Sequence, residues 1–322
     1  MKRTFSATVF AFLLTLLIPL QARADDLLIP VGQVVGLDLQ NDTVTVAAFD
    51  DTLGKTAREA GLRIGDEILE IDHKPISCVE DVRSALHTCQ GDVTITLRRG
   101  VKKQSLQMHP AITESGPKLG VYLRQGISGI GTITFYDPDS GIFGTLGHGV
   151  NDAGGTLLNM SDGNAYPAEI LSIKKGLSGE PGQLHGAAET HKSLGSLYKN
   201  TPRGVFGISP HGWQGEAIPV ADYDEIRTGP AVIRSTVTGN RVREYSVEIL
   251  KIYPESRSDS RNLLLKVTDP QLLSTTGGIV QGMSGSPIIQ DGKLIGAVTH
   301  VLVNDPTRGY GIFIENMLDA AA

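Results

Sequence analysis

A chain of 322 residues is long enough for about two domains. Hydrophobic residues make up 40% of it and charged residues 20%, so each domain can bury a core of its own. The net charge of −6 at pH 7 is mild and no basic stripe is visible, which argues against nucleic acid as a partner. The 38 glycines and the aromatic content of 5% favour many short strands over a helical bundle.

The first 24 residues have the layout of an export signal. Lys2 and Arg3 form a basic start, an apolar run follows over residues 9–20, and Ala22-Arg23-Ala24 fits a small-x-small cleavage pattern. The apolar run is short for a membrane span, which needs about 20 residues. The sequence therefore predicts a signal peptide or an N-terminal membrane anchor over 1–24 and a linker over 25–34. The rest of the chain is expected outside the cytoplasm, either secreted or associated with a membrane.

Residues 35–110 have the pattern of a separate unit. The stretch AREAGLRIGDEILEIDHKPI holds a Gly-Leu-x-x-Gly-Asp turn that leads into an alternating strand, and a helix and the strand DVTITLRR follow. This order is similar to a PDZ domain of the circularly permuted kind attached to bacterial proteases. The resemblance implies that a peptide tail, or the chain's own terminus, adds as a strand beside Gly36, Leu37, Asp38 and Leu39. The alternative is a small β-rich domain that binds nothing.

The two cysteines of the chain, Cys78 and Cys89, lie in this unit and could pair in an exported protein. Between them, apolar residues recur at helical spacing: Val79, Val82, Ala85 and Leu86. A helix of this length spans about 16 Å, whereas a disulfide needs Cα atoms within about 7 Å. The spacing predicts a helix and two unbridged thiols.

Residues 111–322 consist mostly of short apolar runs, beginning with KLGVYL, that are separated by Gly, Pro, Asn and Asp turns. No long amphipathic helix is visible among them. This pattern predicts a mainly β fold, built as a pair of barrels or as a sandwich.

Three polar residues in this region each follow an apolar run: His148 in GTLGHGV, Asp269 in LLLKVTDP and Ser284 in QGMSGSP. Their order along the chain is that of the chymotrypsin-like serine proteases. A serine hydroxyl becomes an effective nucleophile when a histidine takes its proton, and a carboxylate fixes the tautomer of that histidine. The glycines beside the serine allow the amides of Gly282 and Ser284 to form an oxyanion hole.

Two of these residues have rivals nearby. Ser286 competes with Ser284, but it precedes Pro287, which has no amide hydrogen. Asp152 competes with Asp269, because in the usual two-barrel plan the acid comes from the same barrel as the histidine. An aspartate before a proline is also often a turn or cap residue. The histidines form no zinc motif and no phosphate loop is visible, so no metal and no cofactor are expected.

The stretch TGGIVQGMSGSPIIQDGKLIGAVTHVLVNDPTRGYGIFIENML resembles the C-terminal signature of the sporulation stage IV protein B (SpoIVB) peptidases. GTLGHGV and KVTDPQLL are similar to the His and Asp segments of that family. The resemblance implies a PDZ domain followed by a chymotrypsin-like double β-barrel, with His148, Asp269 and Ser284 as the triad.

The resemblance also implies a biological role. It implies a self-cleaving endopeptidase that works in the space between the membranes around a forespore. Its protein substrate is the extracytoplasmic part of a membrane-bound regulatory complex, whose cleavage triggers intramembrane proteolysis and sigma-factor activation. By likeness to chymotrypsin-like proteases, Thr299 and His300 are expected to shape the substrate pocket. The alternative is a catalytically silent PDZ-containing scaffold.

Overall fold

The computed structural model describes residues 27–152, 155–254 and 259–322. The signal peptide or anchor expected over 1–24 lies outside the described residues. The linker expected over 25–34 is wrong for residues 27–30, because they form a strand that pairs on both edges. In the part of the chain that is described, no helix is long and apolar enough to cross a membrane.

Strands dominate the described residues. In chain order the strands are β1 Leu27–Pro30, β2 Val34–Phe49, β3 Glu67–Ile71, β4 Lys74–Pro75, β5 Val93–Arg99, β6 Lys102–Met108, β7 Ala111–Thr113, β8 Gly116–Lys118, β9 Val121–Tyr136, β10 Ile142–Thr145, β11 Asp162–Lys174, β12 Gln183–Ala188, β13 Gly195–Thr201, β14 Gly204–Ile208, β15 Ile218–Pro219, β16 Gly229–Thr236, β17 Val242–Ile252, β18 Leu263–Val267, β19 Pro287–Gln290, β20 Lys293–Leu302 and β21 Asp305–Phe313. The helices are α1 Lys55–Glu59, α2 Val79–His87, α3 Pro270–Thr276 and α4 Ile314–Ala321.

The first barrel is a ring of six antiparallel strands. β9 pairs with β10, and the ring continues through β14, β13, β11 and β2. It closes because β2 pairs with β9 as well as with β11. Alternate residues of a strand point to opposite faces, and the inward ones bury a core that includes Val35, Leu37, Ile133, Phe143 and Val205.

The second barrel closes from β16, β17, β18, β21, β20 and β19. Its interior is filled by branched side chains such as Ile233, Val247, Leu265, Ile288 and Val298. The two rings confirm the predicted mainly β, double-barrel fold.

The PDZ unit is built on the second half of β2 with β3, β5 and β6. The helix α2 packs against this sheet through Val82, Ala85 and Leu86, which are the positions that the helical spacing predicts. Cys78 and Cys89 flank α2, and both are free. The helix and the unbridged thiols are therefore confirmed.

The two units share strands. β2 and β9 are 16 residues long, and they pair from Val34↔Thr132 inside the barrel to Phe49↔Val121 inside the PDZ unit. The register shifts between Leu39 and Val44, where the ribbon passes from one unit to the other. There Gln125 donates to the carbonyl of Asn41, at 3.0 Å. The first barrel and the PDZ unit are thus built on the same two strands, β2 and β9.

Candidate active site and peptide groove

His148 follows β10, and its ring is held by the backbone of the next residue. Its Nδ1 lies 2.9 Å from the carbonyl oxygen of Gly149. Because a carbonyl only accepts hydrogen bonds, Nδ1 carries the proton and Nε2 is left as an acceptor. Burial lowers the pKa of His148, against a smaller opposing effect of the Gly149 hydrogen bond. The ring is therefore neutral near pH 7 and in the tautomer that a general base requires.

Ser284 lies in a tight turn between α3 and β19. The amide of Met283 donates to Val280 and the amide of Ser286 donates to Met283, which closes the turn on both sides of the serine. Gly282 has a φ of +98°, a conformation that favours glycine. The first barrel holds this turn through Thr132 on β9, whose amide donates to the Ser284 carbonyl at 3.1 Å and whose hydroxyl donates to the Gly282 carbonyl at 2.9 Å.

Two amides of the turn are unbonded within the part of the chain that the structure describes. The N–H groups of Gly282 and Ser284 donate no hydrogen bond to any residue that the structure describes, whereas those of Met283 and Gly285 are both bonded. A pair of free amides beside a serine hydroxyl is the arrangement that stabilises an oxyanion.

A single cleft of about 410 Å³ holds His148, Ser284, Thr299 and His300 along its walls. The rings of His148 and His300 are 5.1 Å apart. Burial, with a further contribution from nearby His148, lowers the pKa of His300 to about 4. His300 is therefore neutral at pH 7, and its buried Nδ1 finds no hydrogen-bond partner among the described residues.

The Ser284 hydroxyl has an unexpected partner. It donates to the carbonyl oxygen of Thr299, at 2.7 Å. The serine and the strand expected to wall the pocket are therefore in direct contact, and the hydroxyl must rotate to reach His148.

The structure does not form the predicted contact between Asp269 and His148. The Asp269 carboxylate is the N-cap of α3 and accepts from the amide of Leu272, at 2.8 Å. Aspartate followed by proline suits the start of a helix, since it caps a free amide and proline has none to cap. The hydrogen bond that the structure gives the His148 ring is to the Gly149 carbonyl, and the rival Asp152 accepts from the amide of Thr156 within its own turn. A triad role for Asp269 stays a prediction.

Substitution of Asp269 separates the cap from the triad acid. If Asp269 acts only as an N-cap, Asp269→Asn should leave kcat within about tenfold of the parent, because asparagine caps helices about as well as aspartate. Asp269→Ala should lower the free energy of unfolding by about 1 kcal/mol. A triad acid would behave differently, since its change to asparagine costs about 10⁴-fold in kcat. Peptide hydrolysis and thermal unfolding of the three proteins decide between the roles.

Ser286 has a structural place in the turn. Its side chain is fully buried, and its hydroxyl bonds to the Met283 carbonyl at 2.7 Å and to the Ser235 hydroxyl at 3.0 Å. Ser286 does not line the cleft. Of the two candidate serines, only Ser284 has its hydroxyl in the cleft.

The peptide-binding position predicted at Gly36, Leu37, Asp38 and Leu39 is wrong. These residues lie in the middle of β2, where one edge pairs with β9 and the other with β11. A strand with both edges paired cannot accept a further strand, because its backbone groups are already bonded. Leu37 and Leu39 contribute instead to the wall of the cleft that holds His148 and Ser284.

A groove suited to a peptide lies between α2 and the first residues of β9. Its volume is about 390 Å³, and Val82 and Leu86 from α2 face Leu119, Val121 and Leu123 across it. This part of β9 pairs with β2 on one edge, and no other described strand pairs with it there. An open strand edge beside an apolar groove is the geometry of strand addition. The stretch KLGVYL, interpreted as a peptidase strand from sequence alone, thus forms one side of this groove.

Two closed barrels with a histidine and a serine in the cleft between them define the class of double-barrel serine endopeptidases. Residues 116–318 match the family model of the SpoIVB peptidase S55, and residues 34–109 match that of a PDZ domain. The first match covers more than half of the chain, so the chain belongs to the SpoIVB peptidase S55 family. In the described ranges, no three His, Cys, Asp or Glu side chains lie together as a metal site would require.

Several solved structures resemble parts of the chain. The PDZ domain of the SdrC-like protein Lmo2051 from Listeria monocytogenes is 27% identical, and the alignment covers 26% of this chain and 87% of that one, with a TM-score of 0.23. The active form of the Rv3671c protease from M. tuberculosis is 14% identical over 62% of this chain and 75% of that one, with a TM-score of 0.38. Its inactive form is 14% identical over 60% and 82%, with a TM-score of 0.35. No curated protein matched the chain.

Proposed function

We propose that the protein cuts peptide bonds with Ser284 as the nucleophile and His148 as the general base. The proposal rests on one observation: a single cleft holds the Ser284 hydroxyl, the neutral His148 and two free amides. Nε2 of His148 takes the hydroxyl proton while Oγ bonds to the substrate carbonyl carbon. The amides of Gly282 and Ser284 stabilise the oxyanion. His148 then gives its proton to the leaving amine, and water releases the acyl group by the same steps.

The carbonyl of Gly149 fixes the tautomer of His148, as a carboxylate does in a triad. A neutral carbonyl stabilises an imidazolium less than a carboxylate does, because it carries only a partial charge. Substrate binding releases the Ser284 hydroxyl from its hydrogen bond to Thr299. A substrate strand that donates its own N–H to Thr299 displaces the Ser284 hydroxyl from that carbonyl and frees it to turn toward His148.

We propose that the protein has the biological role that membership of the family implies. The enzyme acts outside the cytoplasm in a sporulation signalling pathway, where it cuts itself and the extracytoplasmic part of a membrane-bound regulator. The groove between α2 and β9 binds a peptide tail or the chain's own terminus. Self-cleavage is compatible with the fold, because a cut before Leu27 would remove no described strand.

Intact-mass measurements on the purified full chain over time test this proposal. The parent should lose an N-terminal segment, whereas Ser284→Ala should keep its full mass. Val79→Glu, at the groove, should slow the loss, because it places a charge among apolar groove residues. Val101→Glu is the matched control, since Val101 is 99% exposed on a turn of the PDZ unit.

Each possible result of the intact-mass measurements leads to a different conclusion. Shortening of Ser284→Ala at the parent's rate would contradict self-cleavage by Ser284. Equal rates for the parent, Val79→Glu and Val101→Glu would contradict the role of the groove. A parent that neither shortens nor cuts any peptide would favour the scaffold alternative.

A further inference from the structure

We infer that this peptidase selects apolar side chains on the residues that flank the bond it cuts. The inference rests on the proposed function and specifies its substrate class.

The cleft around the reacting groups is apolar on both walls. The first barrel contributes Leu37, Leu39 and Ile130, and the opposite wall carries Ile279, Val280 and Val301. None of the described residues that line this cleft is an aspartate, glutamate, lysine or arginine. Its volume of about 410 Å³ is within the range of ligand pockets, about 300–1,000 Å³. There is thus room for more than one substrate side chain, and no charged group to pair with any of them.

The reacting groups lie at the junction of these walls. Ser284 belongs to the turn that enters the second barrel, and His148 belongs to the loop that leaves β10 of the first. The bond attacked by Ser284 therefore has an apolar wall on each side. Both histidines of the cleft are neutral at pH 7, because burial lowers the pKa of each. A charged side chain entering the cleft would lose its hydration without gaining a partner, whereas an apolar one gains by leaving water.

The cleft becomes more polar with distance from the cut bond. A second pocket of about 380 Å³ continues the cleft along β12 and shares Gly129, Ile130, Gln281 and Gly282 with it. Beyond the shared residues, this second pocket adds the polar side chains of Gln183 and His185 and one apolar side chain, that of Leu184. Apolar selection is therefore expected next to the cut and should weaken farther along the substrate.

The test is cleavage of a proteome-derived peptide library by the full chain, with the new termini identified by mass spectrometry. We expect Val, Leu, Ile, Met and Phe beside the cut to exceed Asp, Glu, Lys and Arg by about tenfold or more, the size of effect that an apolar pocket gives. Val301→Asp places a carboxylate in the cleft and should shift the preference toward Lys and Arg by a similar factor. Val303→Asp is the matched control, because Val303 is 47% exposed and does not line the cleft. The cleavage preference of this variant should equal that of the parent.

Labelling of Ser284 by a fluorophosphonate, recorded for each protein, separates the possible failures. Labelled parent enzyme that cuts beside charged residues as often as beside apolar ones overturns the specificity and leaves the proposed function intact. The specificity is likewise overturned, and the proposed function left intact, if Val301→Asp is labelled normally and keeps the parent's cleavage preference. If the parent is neither labelled nor able to cut the library, the proposed function fails and the inference fails with it.

Discussion

Ser284→Ala is expected to lower peptide hydrolysis by about 10⁴- to 10⁶-fold while the protein remains folded. The loss is large because the substitution removes the atom that bonds to the substrate. Stability should change little, since the Ser284 side chain is only half-buried and its one hydrogen bond within the described residues goes to the Thr299 carbonyl. Initial rates on a peptide substrate and the thermal unfolding midpoint measure the two quantities.

Ser286→Ala is the matched control, because it removes a hydroxyl from the same turn. Its effect should be the reverse: kcat stays near that of the parent, while the free energy of unfolding falls by about 1 kcal/mol. Loss of a buried hydroxyl leaves the Met283 carbonyl and the Ser235 hydroxyl without this partner. If Ser286→Ala were the inactive variant and Ser284→Ala the active one, the assignment of the nucleophile would be wrong.

Gly285→Ala is expected to reduce kcat/KM by about 10²-fold, because it displaces the catalytic turn from the first barrel. A Cβ on Gly285 would lie 2.1 Å from the carbonyl oxygen of Thr132 and 2.6 Å from the amide nitrogen of Leu146. Both contacts are with rigid backbone of the first barrel, and the φ of +96° is unfavourable for alanine as well. The turn must therefore move away from β9, and Ser284 moves with it away from His148.

Gly292→Ala controls for the backbone conformation alone. Gly292 also has a positive φ, +78°, but an added Cβ would meet no atom within 4 Å. We expect a loss of about 1 kcal/mol of stability and unchanged kcat/KM. Steady-state kinetics and thermal unfolding of both variants distinguish them. Parent-like kcat/KM for Gly285→Ala would show that the close contact between the barrels does not set the position of Ser284.

Ser284 and His148, which the structure places in one cleft, could be singled out from the sequence because their signals are local. Ser284 lies in a turn whose glycines are needed for its backbone geometry, and His148 directly follows an apolar strand. The partner of His148 could not be found in the same way. A backbone carbonyl such as that of Gly149 has no residue-type signature, whereas Asp269 has the residue type of a triad acid and the local geometry of a helix cap.

The peptide groove was misplaced for a different reason. Whether a strand edge is free depends on partners that are distant in the chain, and the segment from Gly36 to Leu39 is covered by β9 and β11, about 90 to 130 residues later. The same long-range pairing makes β2 and β9 part of both units. Such pairing is set by the closure of the barrel, which a single-sequence pattern of alternating residues does not reveal.

The central claim, that Ser284 is the activated nucleophile of this fold, is tested most directly by reaction with a fluorophosphonate and peptide mapping of the adduct. The reagent should modify Ser284 in the parent at pH 7, modify Ser286→Ala at the same position, and leave Ser284→Ala unmodified. His148→Ala should react far more slowly, because the base that takes the hydroxyl proton is gone. A folded parent protein that takes up no reagent, or takes it up at another serine, would contradict the claim.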